Sequence, residues 1–142
     1  MVFGRSILII IVLIYSIMVD CSNVYVTTST VCDGLGAFSK IEFQVDDVIE
    51  TGISLILNNT NGHENPHLFT WSDTIPNTSW AMTSGCATFY NSSNSPNVKM
   101  LRDFTNNTYK FVALRNIKKD EELLHTYKSI RWRKCFDAIK DL

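Results

Sequence analysis

The stretch from Phe89 to Val98, Phe-Tyr-Asn-Ser-Ser-Asn-Ser-Pro-Asn-Val, limits the fold more than any other in the chain. It carries too many turn-formers for a regular strand and too little bulk for a core helix. Asn and Ser hydrogen-bond to nearby backbone and Pro fixes φ, so such a run holds irregular chain in one shape. Two aromatics lead in and Val98 leads out, which predicts an ordered loop pinned between packed elements. Loops of that kind carry binding and catalysis more often than strands do, although the same composition also suits a plain polar surface loop.

Around this loop the chain reads as short strands. Val24–Thr28 is β-branched and bounded by Asn and Ser, and Asp33–Gly36 turns it back toward Ala37 and Phe38. Val45–Glu50 reads as a short strand after a turn, Ile53–Leu57 as a second one, and Asn58–Pro66 as a polar loop. Phe69–Trp71 and Trp80–Met82 are short apolar pieces around a turn at Ile75–Asn77. Met100–Phe104 and Tyr109–Leu114 predict a hairpin across Thr105–Thr108, and Lys118–Asp120 a further turn. Trp132, Cys135, Phe136 and Ile139 recur at i, i+3, i+4 and i+7, which predicts an amphipathic C-terminal helix over 129–142 with Ser129 as its cap. Many short strands, one helix and no βαβ alternation give a mostly β (α+β) domain and exclude a doubly wound sheet.

At 142 residues, 45% hydrophobic and 19% charged, one ordinary globular domain is expected. A formal net charge of −1 gives no electrostatic case for direct nucleic-acid binding. Positive charge crowds the end, at Lys128, Arg131, Arg133, Lys134 and Lys140, and reads as a solvated helix face. The cysteines, Cys21, Cys32, Cys86 and Cys135, contain no closely spaced zinc-ligand pair, so no metal is expected. Two disulfides in an oxidising compartment and buried free thiols both suit four such residues.

Residues 1–20 form a hydrophobic N-terminal segment. Ile7–Val19 is a thirteen-residue, mostly apolar run behind Arg5, short for a membrane span and right for a signal-peptide core of about 7–15 residues. Val19 and Cys21 would be the small-residue pair before a cut after Cys21. Sequons at Asn58, Asn77, Asn91 and Asn106 point the same way. A secretory or membrane anchor through residues 5–19 and an extension ahead of a start at Met18 both remain open. The reading preferred here is a domain facing the cytosol or nucleus, with the membrane involved only if the segment is a real anchor.

Three pieces of sequence, in this order, carry a family resemblance: Asp33-Gly34-Leu35-Gly36-Ala37-Phe38, then Asn91-Ser92-Ser93 running to Pro96-Asn97, then Asp120-Glu121-Glu122-Leu123-Leu124-His125-Thr126-Tyr127. Together, with Phe111–Arg115 leading into the last, they resemble the SET domain, the fold of most protein-lysine methyltransferases, over roughly residues 24–128. The family pattern is a Gly-x-Gly turn, an Asn-His-Ser loop ending in Pro-Asn, and Gly-Glu-Glu-Leu-x-x-x-Tyr. The resemblance implies several small sheets and a knot-like threading of the Asn91 loop beneath the Tyr127 segment.

It also implies an S-adenosylmethionine-dependent lysine methyltransferase, whose partner is a protein presenting a lysine, a histone tail among the candidates. By resemblance Tyr127 is catalytic, and Gly34, Leu35, Gly36, Asn91 and Ser92 bind the cofactor. Tyr90, His125 and Trp132 are expected to line the lysine channel, with the C-terminal helix closing it. Four positions depart from the pattern: Ser92 for histidine, Asp120 for glycine, Thr126 for a frequent aspartate, and His125 where another aromatic is common. They motivate an alternative, a SET-like module that holds peptide or cofactor with little turnover. The leader and sequons motivate a third, a secreted or lumenal glycoprotein.

Overall fold

A computed structural model describes residues 18–73 and 79–139 of the chain. The predicted turn at Ile75–Asn77, the hydrophobic run before Met18 and Lys140 lie outside the described residues. Nine strands fall into three sheets, with no α-helix among the described residues. β1 (Val24–Thr28) and β2 (Leu35–Ser39) form an antiparallel pair in register Val24 to Ser39. The main sheet has the order β4 (Phe69–Thr70), β5 (Trp80–Thr83), β3 (Val48–Leu57), β8 (Thr108–Ala113), β7 (Val98–Asp103), all antiparallel. β6 (Asn91–Ser92) and β9 (Leu124–His125) form a short parallel pair.

The β7–β8 hairpin forms as its sequence predicts, with Asn107 in the left-handed region at its turn (φ 52°), a conformation Asn tolerates better than most residues. Tyr109, Phe111 and Ala113 alternate inward along β8 and are almost fully buried, the period-2 pattern of a strand with one face on a core. Val45–Glu50 and Ile53–Leu57, expected as two strands, are one. β3 runs unbroken for ten residues from Val48, with a bulge at Ile49 and a left-handed Asp46 just before it. The bulge absorbs the local mismatch that the sequence presents as a break.

The C-terminal helix does not form over the described residues. Residues 128–132 turn, a short 3₁₀ segment spans Lys134–Phe136, and a further turn follows. The Arg133 N–H still reaches Ser129 O in helical fashion (3.1 Å), but the Cys135 N–H donates to His63 O (2.8 Å), so the ladder is given up for a tertiary bond. Arg133 is not on a solvated face either. It is 3% exposed, its guanidinium donates to Gly62 O and Asn65 O, and it stacks on Trp80 and Phe136. A peptide this short gains little from helix formation alone, so these long-range bonds decide its path.

Candidate functional site

The Glu121–His125 segment is bonded on both sides. On one side Leu123 N donates to Ala37 O and Ser39 N to Glu121 O, beside a bridge between Phe38 and Glu122. On the other it lies along the Asn91 loop, where Ser93 N donates to His125 O (2.9 Å) and Asn97 N to Leu124 O (3.1 Å). Asn97, 2% exposed, completes the join: its amide N–H donates to Glu122 O (2.7 Å) and its carbonyl accepts from Leu124 N (2.8 Å). The loop expected to be irregular is thus held partly as a two-residue strand and partly by this asparagine.

The crossing brings Tyr127 against Asn91. The Tyr127 phenol donates to Tyr90 O (2.8 Å) and its N–H donates to Ser92 Oγ (3.3 Å), so it is fastened to both chain neighbours of Asn91. Burial pushes its phenol up to about 12, so it remains a donor at neutral pH. Asn91 in turn donates through Nδ2 to Leu35 O (3.0 Å), Glu122 Oε1 (3.1 Å) and Ser29 Oγ (3.2 Å). That amide is enclosed by protein acceptors, which leaves the Asn91 sequon badly placed for a glycan.

Gly36 lies at the centre of this cluster. A Cβ there would stand 2.3 Å from Glu122 Oε1 and 3.3 Å from Asn91 Nδ2. Glu122 accepts from Ser29 Oγ, Thr30 N and Thr30 Oγ1; burial would raise its pKa, but these bonds outweigh it and hold the carboxyl below its usual range. The first glycine is different. Gly34 has only Cys32 Sγ near it, at 3.7 Å, and Leu35 is exposed.

On the other side of Tyr127 lies a cavity of about 350 Å³, whose walls include Tyr90, His125, Tyr127, Phe136, Met100 and Leu68. Tyr90 stacks on Phe111 at 3.8 Å and His125 meets Tyr127 edge-on at 4.9 Å. His125 is 6% exposed; burial first, then the Arg102 charge, hold its imidazole down at about 4. Its ring bonds the Tyr90 carbonyl, while Nε2 has no partner among the described residues. Trp132 does not reach this cavity and packs on His63 and Trp80; the aromatic its segment brings to Tyr127 is Phe136, at 5.2 Å.

Of the residues singled out in the sequence, Gly36, Asn91, Ser92 and Tyr127 converge, and Tyr90 and His125 join Tyr127 at the cavity. Glu122, Asn97 and Phe136 were missed. The first two stand inside the quoted motifs, which was the available signal; nothing in the sequence distinguished Phe136 from Trp132. The departures also find partners. Asp120 stands in the left-handed region that glycine enters most readily (φ 65°) and accepts from Tyr25 OH, and Thr126 Oγ1 donates to Ser93 O.

The four thiols are free, and the Cys21 side chain hydrogen-bonds that of Cys86. Met18–Asp20 is tied to β3 through Thr51, so a cut after Cys21 would remove an ordered part of the domain. No helix among the described residues is long and apolar enough to cross a membrane, and no group of three or more His, Cys, Asp or Glu gathers there.

Small sheets joined by a loop that crosses a Glu-Glu-Leu segment define a class, and comparison with known proteins agrees. The SET domain family model matches residues 34–128, and the chain belongs to that family. A crystal structure of a Plasmodium falciparum protein named as a histone methyltransferase is similar at 26% identity and a TM-score of 0.59, over 74% of this chain and 92% of that one. A humanized mutant of the Chaetomium thermophilum Polycomb Repressive Complex 2, bound to an inhibitor, shares the fold at 18% identity and a TM-score of 0.63. There the likeness covers 78% of this chain and 15% of that one. A search of curated proteins gives no match.

Proposed function

We propose that this domain is a protein-lysine N-methyltransferase that uses S-adenosylmethionine. The observation that carries the reading is Tyr127 itself, fastened to both neighbours of Asn91 and facing an apolar cavity. The family membership and the similarity to a protein named as a histone methyltransferase support it.

The residues around Gly36 fit the amino-acid end of the cofactor. They bring together a bare backbone position, the Asn91 amide and the ionised Glu122 carboxylate. The last two are now bonded to one another and to Ser29, Thr30 and Leu35, so that the cofactor's ammonium would exchange some of these bonds for its own. Gly36, Asn91 and Ser92 would hold that end, with Leu35 and Gly34 at the exposed edge. When bound, the cofactor supplies a methyl group activated by an adjacent sulfonium.

The protein's own task is then alignment and exclusion of water more than acid–base work. Tyr127 keeps its proton and fixes the rim of the cavity through Tyr90 O. Tyr90 and His125 form walls that admit a lysine stem, and His125 stays neutral there. We place the domain in the cytosol or nucleus, a reading the enclosed Asn91 supports.

The test measures two quantities on the purified chain. Calorimetry should give a cofactor Kd at least about tenfold weaker for Asn91→Ala than for wild type, about the value of one charge-assisted bond. Transfer of labelled methyl to lysine-bearing proteins should fall at least about tenfold in Tyr127→Phe. Unchanged transfer would reject the role given to Tyr127. A second reading, binding with little turnover, is favoured by the Asn91 amide being already committed to Leu35, Glu122 and Ser29; cofactor binding with no transfer to any substrate selects it.

A further inference from the structure

The cavity beside Tyr127 is one-sided in charge. Its walls include Lys99, Arg102, Lys128 and Arg133, and no aspartate or glutamate among the described residues. Two of these cations are built in. Arg133 is bonded to Gly62 O and Asn65 O, and Arg102 to the Thr70 carbonyl and hydroxyl. The other two, Lys99 and Lys128, are exposed and form no ion pair among the described residues. Carboxylates on the neighbouring segments are already engaged: Asp73 lies 4.0 Å from Arg102, and Glu64 3.3 Å from Lys134. His125 senses the same field from inside, since the Arg102 charge is one of the two causes that keep it neutral.

Among the described residues of these walls, a lysine entering as an ammonium would find like charges and no countercharge. The walls therefore favour its neutral amine, the form that can accept a methyl group. They also withhold the attraction that would draw a cationic segment in, so that attraction has to come from elsewhere on the substrate. Acidic residues beside the target lysine would supply it, meeting Lys99 and Lys128 at the rim where a desolvation cost is small. A basic segment would add repulsion at both ends of the cavity.

We propose that the cavity takes a lysine flanked by acidic residues, so that the substrate class is an acidic segment of a protein and not a basic tail. The lysine itself rests on the methyl-transfer reading; the preference for acidic flanks rests on the charge of the walls alone.

Fluorescence anisotropy separates the two. Three labelled peptides of equal length are compared: lysine with Asp/Glu flanks, lysine with Lys/Arg flanks, and the acidic peptide with its lysine changed to alanine. We expect the first to bind at least about tenfold tighter than the second and measurably tighter than the third. The margin should shrink as salt rises and the screening length falls. Lys99→Glu combined with Lys128→Glu, both exposed and outside the core, should reverse the order of the first two peptides.

Equal binding of acidic and basic peptides, tighter binding of the basic one, or no binding of either overturns the proposal. So does an order unmoved by the double charge reversal. Binding that ignores the lysine would mark only a general anion surface and also overturns it. If the acidic peptide binds as expected but no peptide is methylated, the methyl-transfer reading fails and this preference stands; if both lysine peptides are methylated equally well, the reverse holds.

Discussion

Tyr90 joins two buried polar clusters that are finished differently. At its phenol end, Glu50 Oε2 accepts from the Cys86 N–H (3.2 Å) and lies 2.6 Å from Tyr109 Oη, which lies equally close to Ser84 O. The Tyr109 hydroxyl is shared between these two acceptors. Burial pushes the Glu50 carboxyl up to about 7, against the hydrogen bonds that would lower it. Left-handed Gly85 (φ 67°) closes over this cluster, where a Cβ would stand 2.9 Å from the Tyr109 hydroxyl.

At the carbonyl end of Tyr90, Tyr127 and His125 both bond its oxygen, yet His125 Nε2 is left without a partner and the ring faces a cavity. The first cluster is closed by mutual hydrogen bonds, whereas the second borders the cavity and keeps one nitrogen unpartnered among the described residues. Glu50 lies in a closed, bonded cluster, and His125 lines the cavity that the proposed function uses.

The two ends should answer acid with opposite signs, and this is the largest effect expected. Glu50 binds its proton more tightly folded than unfolded, so its contribution is full below about pH 4.5 and lost as pH rises through about 7. His125 is the reverse, with its contribution full above about pH 6.5 and lost as pH falls through about 4. Each is about 3 kcal/mol at its limit. In wild type they largely cancel across that window. Denaturant titrations should show Glu50→Gln losing stability on acidification from neutral pH, and His125→Gln gaining it; parallel curves for the two variants would erase the distinction.

A smaller effect crosses stability against turnover. Tyr109→Phe leaves Ser84 O and Glu50 short of a partner in a closed cluster and should cost about 1–3 kcal/mol of stability. Its rate of methyl transfer should stay within about twofold of wild type, because nothing at the cavity changes. Tyr127→Phe should do the opposite, with a stability loss of about 1 kcal/mol or less, since Tyr90 O keeps its bond from His125, and the loss of transfer given above. Melting temperature and labelled transfer, measured on both, decide it; similar behaviour in the two would mean that neither cluster is the site.

The same division explains what the sequence could and could not tell. Gly36, Asn91 and Tyr127 were singled out through the family resemblance of the segments that carry them, which the structure brings to one crossing, and β8 was legible as one arm of the hairpin across Thr105–Thr108. The end of the chain was not. Trp132, Cys135, Phe136 and Ile139 have helical spacing, but the path is set by Arg133 bonding carbonyls at Gly62 and Asn65 and by Cys135 bonding His63, partners about seventy residues away with no mark in local sequence. For the same reason the basic cluster read as solvent-facing when one of its members lies in the core beside the cavity.

The paired glycines provide the finest comparison, and the smallest effect. From sequence the two are equivalent, and each was expected to let the cofactor approach. In the structure only Gly36 has no room for a methyl group; Ala there must push the Glu122 carboxylate away from Ser29 and Thr30. Because the obstacle is the end of a flexible side chain, the cost should be modest, about 1 kcal/mol, with cofactor binding weakened about fivefold as Glu122 and Asn91 lose their alignment. Gly34→Ala meets only the Cys32 sulfur at an ordinary contact distance, and Gly34 is not among the residues with positive φ. It should therefore change stability by less than about 0.5 kcal/mol and affinity by less than about twofold. Calorimetric affinities for the two alanine variants, side by side, test whether the site needs one bare backbone position or two; equal losses would mean that the cofactor lies along the whole Gly34–Gly36 turn and that Glu122 is not the neighbour that matters.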